Sequence, residues 1–386
     1  MNRKYISFVM ATVIGSLCFA VNAHTWEKGH VQIEPSFKTE EMWDSNVFYE
    51  PSNEKDDFIT LLTPGLKGAF AFGAEGKHKI TANYLCELGI FAQYDDENYG
   101  NHDFKAGVDL DFDTYTLNVN NKFDFTSSRA GTEFESRTLR KEDRLDTVFG
   151  VHCNKFDFDF GHEFFIVDYL SDTLKSINRY ENSVWTTGYV EVMPKTKALA
   201  EFTYQNIVYP DTDQRDGDAY KTMLGLQGDL TAKLTGIIKG GYKVKTYRES
   251  TREDFSNAVA YVALLYSMTD NLGLNLSYNR EPFESIYDNN NYYTGDHFTA
   301  ALNYIFAKNW KAILDTMYFH NAYPAIATGE SKKRTDNEWA LGGRLEYAWK
   351  EWLVSGVGYH FHQRLSTISS REYDQHVING DIKVKF

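Results

Sequence analysis

Proline, cysteine and long apolar runs are all scarce in this chain. Its 386 residues include only 7 prolines and 3 cysteines. So little proline excludes a Pro-rich linker array and leaves room for long, unbroken strands. Cys18 lies in the N-terminal apolar stretch, so Cys86 and Cys153 alone remain beyond it. Two cysteines make no disulfide framework, and both are expected as free thiols. After residue 23 no apolar run approaches the ~20 residues that a spanning helix needs. Excess positive charge is missing too. The formal net charge is −14, and it becomes −16 without residues 1–23, whose only charges are Arg3 and Lys4. That sign argues against DNA or RNA as a partner. It suits an acidic exterior facing lipopolysaccharide bridged by divalent cations.

Aromatic residues are abundant instead. Phe, Trp and Tyr make up 16% of the chain, the content expected of a barrel with aromatic girdles at both membrane interfaces. Residues 1–23 read as a secretory signal: Arg3 and Lys4, an apolar run from Ile6 to Ala20, and the small-residue site Val21-Asn22-Ala23. Cleavage after Ala23 is expected. Lipidation at Cys18 is disfavoured, because Gly15-Ser16-Leu17 fits a lipobox poorly. The domain reading is therefore a signal peptide over 1–23 and an outer-membrane β-barrel over 24–386.

From Val31 onward, strand candidates follow one another with almost no helical periodicity. Short links near 73–77, 113–114, 154, 194–197, 231–233, 269–271, 307–309 and 350–351 alternate with longer charged ones. This alternation is the plan of a transmembrane, up-and-down, antiparallel barrel. It gives about 18 strands, with 16 as the alternative, and leaves both termini periplasmic. The last stretch, Gln375–Phe386, puts His376, Ile378, Gly380, Ile382, Val384 and Phe386 on one face. It is expected to close the sheet beside the strand starting near Val31, with Glu34 in reach of Lys383 or Lys385. Phe386 is expected to act as the C-terminal insertion signal.

Dyad alternation assigns the faces. Phe104, Ala106, Val108, Leu110 and Phe112 oppose Lys105, Gly107, Asp109 and Asp111, and Trp339, Leu341 and Leu345 oppose Arg344 and Glu346. A Lys or Arg facing lipid at mid-membrane costs about 2–4 kcal/mol, so the charged face looks inward. The predicted pore-lining residues are Glu34, Lys105, Asp109, Asp111, Lys122, Asp124, Asp157, Asp159, Glu201, Lys239, Lys243, Lys245, Lys311, Arg344, Glu346, Asp381, Lys383 and Lys385. Acids dominate the earlier strands and bases the later ones, so an acidic wall is expected across from a basic one. Tyr189, Tyr261, Phe319 and Trp185 fall on inward positions, where a sugar-stacking track competes with incidental placement.

One passage carries a family signature. Asp44-Ser45-Asn46-Val47-Phe48-Tyr49 is followed by Asp56-Asp57-Phe58-Ile59-Thr60 and then Thr63-Pro64-Gly65-Leu66. It resembles the opening of the putative beta-barrel porin 2 family of outer-membrane proteins. The resemblance implies a barrel and a link to surface polysaccharide. From the residues themselves, Asp44 and Asn46 are expected to close an Asx turn, and Pro64-Gly65 to mark a bulge or bend.

Other constellations are weaker. His360 and His362 share an inward face but lack nameable further ligands, so no metal or cofactor is assigned. No Ser/His or Asp/His group forms at the loop rim, and no enzyme is expected. The stretch 127–143 balances Arg129, Arg137, Arg140 and Lys141 against Glu133, Glu135, Glu142 and Asp143. It reads as a solvated loop, with an inward constriction as the alternative. The expected function is a porin-like passive diffusion channel for small hydrophilic or sugar-like solutes. The alternatives are a surface-polysaccharide export or assembly barrel, a loop-based adhesin, or a barrel enzyme. Expected partners are outer-membrane lipid and lipopolysaccharide, the insertion machinery and a homo-oligomer.

Overall fold

The computed structural model describes residues 26–386 apart from 135, 250, 251, 288 and 289. The expected signal peptide and Cys18 lie outside the described residues. A short strand β1 (Trp26–Lys28) precedes β2 (Val31–Asp44), β3 (Asp57–Phe72), β4 (His78–Phe91), β5 (Tyr99–Asp111) and β6 (Tyr115–Thr126). Next come β7 (Arg140–Cys153), β8 (Phe156–Tyr169), β9 (Arg179–Met193), β10 (Thr196–Val208), β11 (Gly217–Thr231), β12 (Leu234–Tyr247) and β13 (Phe255–Thr269). The chain finishes with β14 (Leu272–Glu284), β15 (Tyr292–Ala307), β16 (Trp310–Ala322), β17 (Thr335–Lys350), β18 (Leu353–Ser366) and β19 (Tyr373–Lys385).

Each strand from β2 onward pairs antiparallel with its sequence neighbours, and β19 returns to β2 from Val377 opposite Asp44 to Lys385 opposite Ser36. Eighteen strands thus close on themselves, which settles the count against sixteen and removes both sheet edges. β1 lies along β2 just past the end of β19, with Trp26 opposite Ile33. At the rim beside the chain termini the first two links, 73–77 and 112–114, are the longest, and six more span two residues each. At the other rim nine links run from six to thirteen residues. The short–long alternation expected from sequence is what the fold contains.

Local chemistry accounts for the tight rim. Asp113, Asn154 and Lys195 take positive φ values of 67°, 54° and 65° in short links, the conformation that a tight hairpin demands. Register shifts at Asp229/Thr231, Ser267/Thr269, Ile305/Ala307 and Ala348/Lys350 tighten four consecutive hairpins at the same rim. The bulge expected at Pro64-Gly65 is absent. Leu62 opposite Leu88 and Gly65 opposite Leu85 keep one register, and pairing to β4 merely lapses between them. Pro64 has no N–H to give the ladder, so a bond is lost without an extra residue being inserted. The Asx turn is present, with the Asn46 N–H donating to Asp44 Oδ1 at 2.9 Å.

Among the described residues, the clusters of buried apolar side chains sit at the long-link rim. One cluster holds Phe134, Phe165, Val167, Tyr169 and Ile177, and another Val47, Ile59 and Phe91. Cys86 and Cys153 are free.

Candidate functional site

The inner face is identified by a contact that only the interior allows. Asn321 on β16 donates to Thr132 Oγ1, in the link after β6, at 3.3 Å. β6 and β16 stand on opposite sides of the closed sheet. Asn321 pairs with Asp336 on β17 and Gly295 on β15, and strict alternation carries the assignment around the barrel. On that face stand Lys311, Arg344 and Glu346, then Asp381, Lys383 and Lys385 on β19. Register continues through Glu34 on β2 to Lys105, Asp109, Asp111, Lys122 and Asp124. It also includes Asp157, Asp159, Glu201, Lys239, Lys243 and Lys245. All predicted pore-lining residues therefore share one face. The opposite face carries exposed apolar groups such as Leu224, Leu341 and Val357.

The expected division into an acidic and a basic wall does not occur. Lys239 meets Glu201 at 2.7 Å, Lys243 meets Glu281 at 2.9 Å, and Lys245 meets Glu284 at 2.5 Å. Lys122 pairs with Asp124 at 2.5 Å, Lys197 with Asp157, and Arg144 with Glu163. Arg344 bridges Asp381 at 2.5 Å and Glu346 at 2.9 Å. Neighbouring strands lie about 4.8 Å apart, so a counter-charge on the same or the next few strands outweighs one across the lumen. Sequence blocks of one sign are interleaved by residues, such as Glu281 and Glu284, that alternation alone did not select. The expected meeting of Glu34 with Lys383 or Lys385 also fails. No ion pair joins them among the described residues: Lys385 stands opposite Ser36, two residues along β2 from Glu34, Lys383 faces Lys38, and the direct neighbour of Glu34 is Lys67 on β3.

The inward aromatics do not line up as a track. Trp185 lies flat over Gly161, where an added Cβ would stand 2.0 Å from the indole. Tyr189 donates to Asp159 at 3.0 Å, and Phe319 stacks on His297 at 4.1 Å. Trp185 does line a polar recess of about 380 Å³ with Glu163, Glu201, Lys221, Lys239 and Lys243. His362 is bonded to Glu338 at 2.9 Å, and among the described residues no group of three His, Cys, Asp or Glu is arranged to hold a metal.

The main correction concerns residues 127–139. This link is not a solvated loop. It folds inward and crosses the lumen to the far wall. Arg129 donates to the Val47 carbonyl at 2.9 Å and lies 3.8 Å over the Tyr49 ring. Arg334 donates to the Thr132 carbonyl at 3.1 Å. Glu133 accepts from Ser285 Oγ at 2.6 Å and from the Ile286 N–H at 3.0 Å. Phe134 stacks on Tyr169 within the larger core cluster, and Arg137 sits 3.9 Å over Tyr99. Burial pushes the Glu133 carboxyl above the usual carboxylate range, against the lowering effect of its two donors and of Arg334. Glu133 was visible in sequence only as one charge of a balanced set. Its partners Ser285, Ile286 and Arg334 lie more than 150 positions away, with no local pattern to announce them.

A closed antiparallel barrel with an apolar exterior, an ionised inner wall and an inward-folded loop is an outer-membrane barrel of the porin type. The chain belongs to the putative beta-barrel porin 2 family, whose pattern matches residues 27–386. No curated protein resembles it in sequence. Among solved structures, the siderophore receptor PiuA from Acinetobacter baumannii is similar over 94% of this chain and 82% of that one, at 9% identity and a TM-score of 0.50. OccAB4 from Acinetobacter baumannii aligns over 92% and 98%, at 12% identity and a TM-score of 0.48. The outer membrane protein OpdK from Pseudomonas aeruginosa aligns over 94% and 100%, at 10% identity and a TM-score of 0.48.

Proposed function

We propose that this protein is a passive, non-enzymatic channel of the outer membrane for small hydrophilic solutes, narrowed at one mouth by residues 127–139. The observation that carries the reading is the ionised inner wall beneath that crossing segment. A wall whose charges are mostly paired stabilises water and polar solutes over most of its area without trapping one ion. Width and local charge then set what passes. The rim with the short links is taken as periplasmic and the rim with the long links as external, the usual arrangement for such barrels. In this reading the apolar exterior meets lipid and lipopolysaccharide, Phe386 is read by the insertion machinery, and copies of the chain associate laterally. Export of the signal-bearing precursor precedes insertion.

Purified protein in planar bilayers is expected to give discrete conductance steps in simple salt. Complete absence of steps, including for protein lacking residues 129–137, would sink the channel reading. Block by charged oligosaccharides at concentrations that leave ion current otherwise unchanged would favour the polysaccharide alternative.

A further inference from the structure

Most inner-wall cations have a carboxylate partner; among the described residues the exceptions are Lys79 and Lys311, which stand singly, and a group clustered at the closing seam. At the closing seam Lys383 stands directly opposite Lys38, and Lys385 stands opposite Ser36. Ser36 in turn faces Gly65, two residues before Lys67 on β3. The charges acting on Lys383 are those of Lys385, Lys67 and Lys38, with Asp381 the counter-charge. Asp381 is engaged by Arg344 at 2.5 Å, and Lys38 is engaged by Glu40. Lys67, Lys383 and Lys385 are exposed, and among the described residues their ammonium groups make no ion pair or hydrogen bond. Glu34, opposite Lys67 in register, makes no ion pair among the described residues either.

The floor between these lysines is small. Gly65 contributes no side chain, and a Cβ built on it would stand 2.7 Å from Ser36 Oγ, so the serine hydroxyl leans over the glycine. Among the described residues that hydroxyl has no hydrogen-bond partner. Like charges placed directly opposite on paired strands are destabilising. The same arrangement is a good receptor for an anion, because several ammonium groups and a hydroxyl can donate to its oxygens. The wall is net acidic over the chain as a whole, so this is a local reversal of sign at the rim beside the chain termini.

We propose that Lys67, Lys383 and Lys385, around the Ser36 hydroxyl, form a binding site for a phosphate dianion, free or as the end group of a small solute. A phosphate offers three or more acceptor oxygens to these donors and neutralises the repulsion between β19, β2 and β3. The site rests on the inner-wall geometry and requires no current to detect, so it stands or falls separately from the channel reading.

The test is labelling of lysines in the detergent-solubilised full chain by an amine-reactive reagent, read residue by residue in a mass spectrometer. Inorganic phosphate, compared with chloride at matched ionic strength, is expected to slow labelling of Lys67, Lys383 and Lys385 at least about fivefold. Lys332 and Lys195 should be unaffected. Glycerol phosphate giving the same protection assigns the site to the end group of solutes, and protection by inorganic phosphate alone assigns it to the free ion. Slowing no greater at the three lysines than at Lys332 overturns the proposal. The triple variant K67Q/K383Q/K385Q relieves repulsion, so it is expected to fold. Lys38, opposite Lys383, should share the protection in the unaltered protein and lose it in the triple variant, and retained protection there would count against the site equally.

Discussion

Single side chains at the loop rim carry more than their share of the structure. Asn46 is fully buried. Its amide donates to the Glu50 carbonyl at 2.8 Å and the Asp374 carbonyl at 3.0 Å, and it accepts from the Glu50 N–H at 3.0 Å. Asp57, also fully buried, accepts from the Gln93 and Tyr94 N–H groups. The family passage is therefore a knot that ties the 45–56 link to β19 and to the 92–98 link. Asn46→Ala removes those bonds and leaves buried backbone groups unpaired, at a cost of about 2–3 kcal/mol. The midpoint of heat-induced unfolding, followed by gel mobility, should fall accordingly. Lys245 and Glu284 offer a sharper case. The lysine is fully buried and meets the carboxylate at 2.5 Å, while Tyr209 donates to the same carboxylate at 2.8 Å. Lys245→Met strands a buried charge and should cost about 3–5 kcal/mol. The double variant Lys245→Met/Glu284→Gln should recover most of that loss in urea titrations. Equal losses for single and double variants would show that the two groups do not act as a pair.

At the scale of elements, the strands were legible and the crossing segment was not. Period-2 alternation marks a strand and its two faces within a few residues, so β5, β6, β17 and β19 could be placed from local pattern alone. Link lengths then gave the hairpin plan. The direction of residues 127–139 depends instead on Ser285, Asn321 and Arg334, which nothing local connects to them. A balanced set of charges also looks the same whether it meets water or a far wall. Ion pairing was lost for a related reason. Face assignment says that Lys239 and Glu201 look inward, but their meeting depends on register across β10, β11 and β12.

The crossing segment should respond to pH through Glu133, whose ionisable neighbours include Arg334, Tyr323 and Tyr293. Burial raises its carboxyl pKa when the segment is docked. The docked form therefore binds a proton more readily than the undocked form. Docking is strengthened fully below the ordinary glutamate range, and the gain is lost as pH rises through the raised value. Conductance is expected to be lower at acid pH and to climb as Glu133 ionises. Glu133→Gln should flatten that dependence while keeping the acceptor for Ser285. A pH profile unchanged by the substitution would rule out Glu133 as the origin.

For the whole molecule, closure is the organising fact. β19 pairs with β2 across nearly the entire length of the chain, so the seam is the contact with the highest loop-closure cost and the natural last step of assembly. The crossing segment adds a second long-range tie. It joins the β6–β7 hairpin to β16 and to the links on either side of β15 and β16. A tie between opposite walls acts as a strut as well as a partial obstruction. A wide barrel whose staves are joined only to their neighbours can flatten into an ellipse, and a brace across its diameter resists that breathing mode. Arg334→Ala loosens one end of the brace without removing the segment. Its first effect should be in the fluctuations of the open channel: current noise in planar bilayers should rise even where the mean current barely changes. Noise indistinguishable from that of the parent protein would mean that the wall keeps its shape unaided.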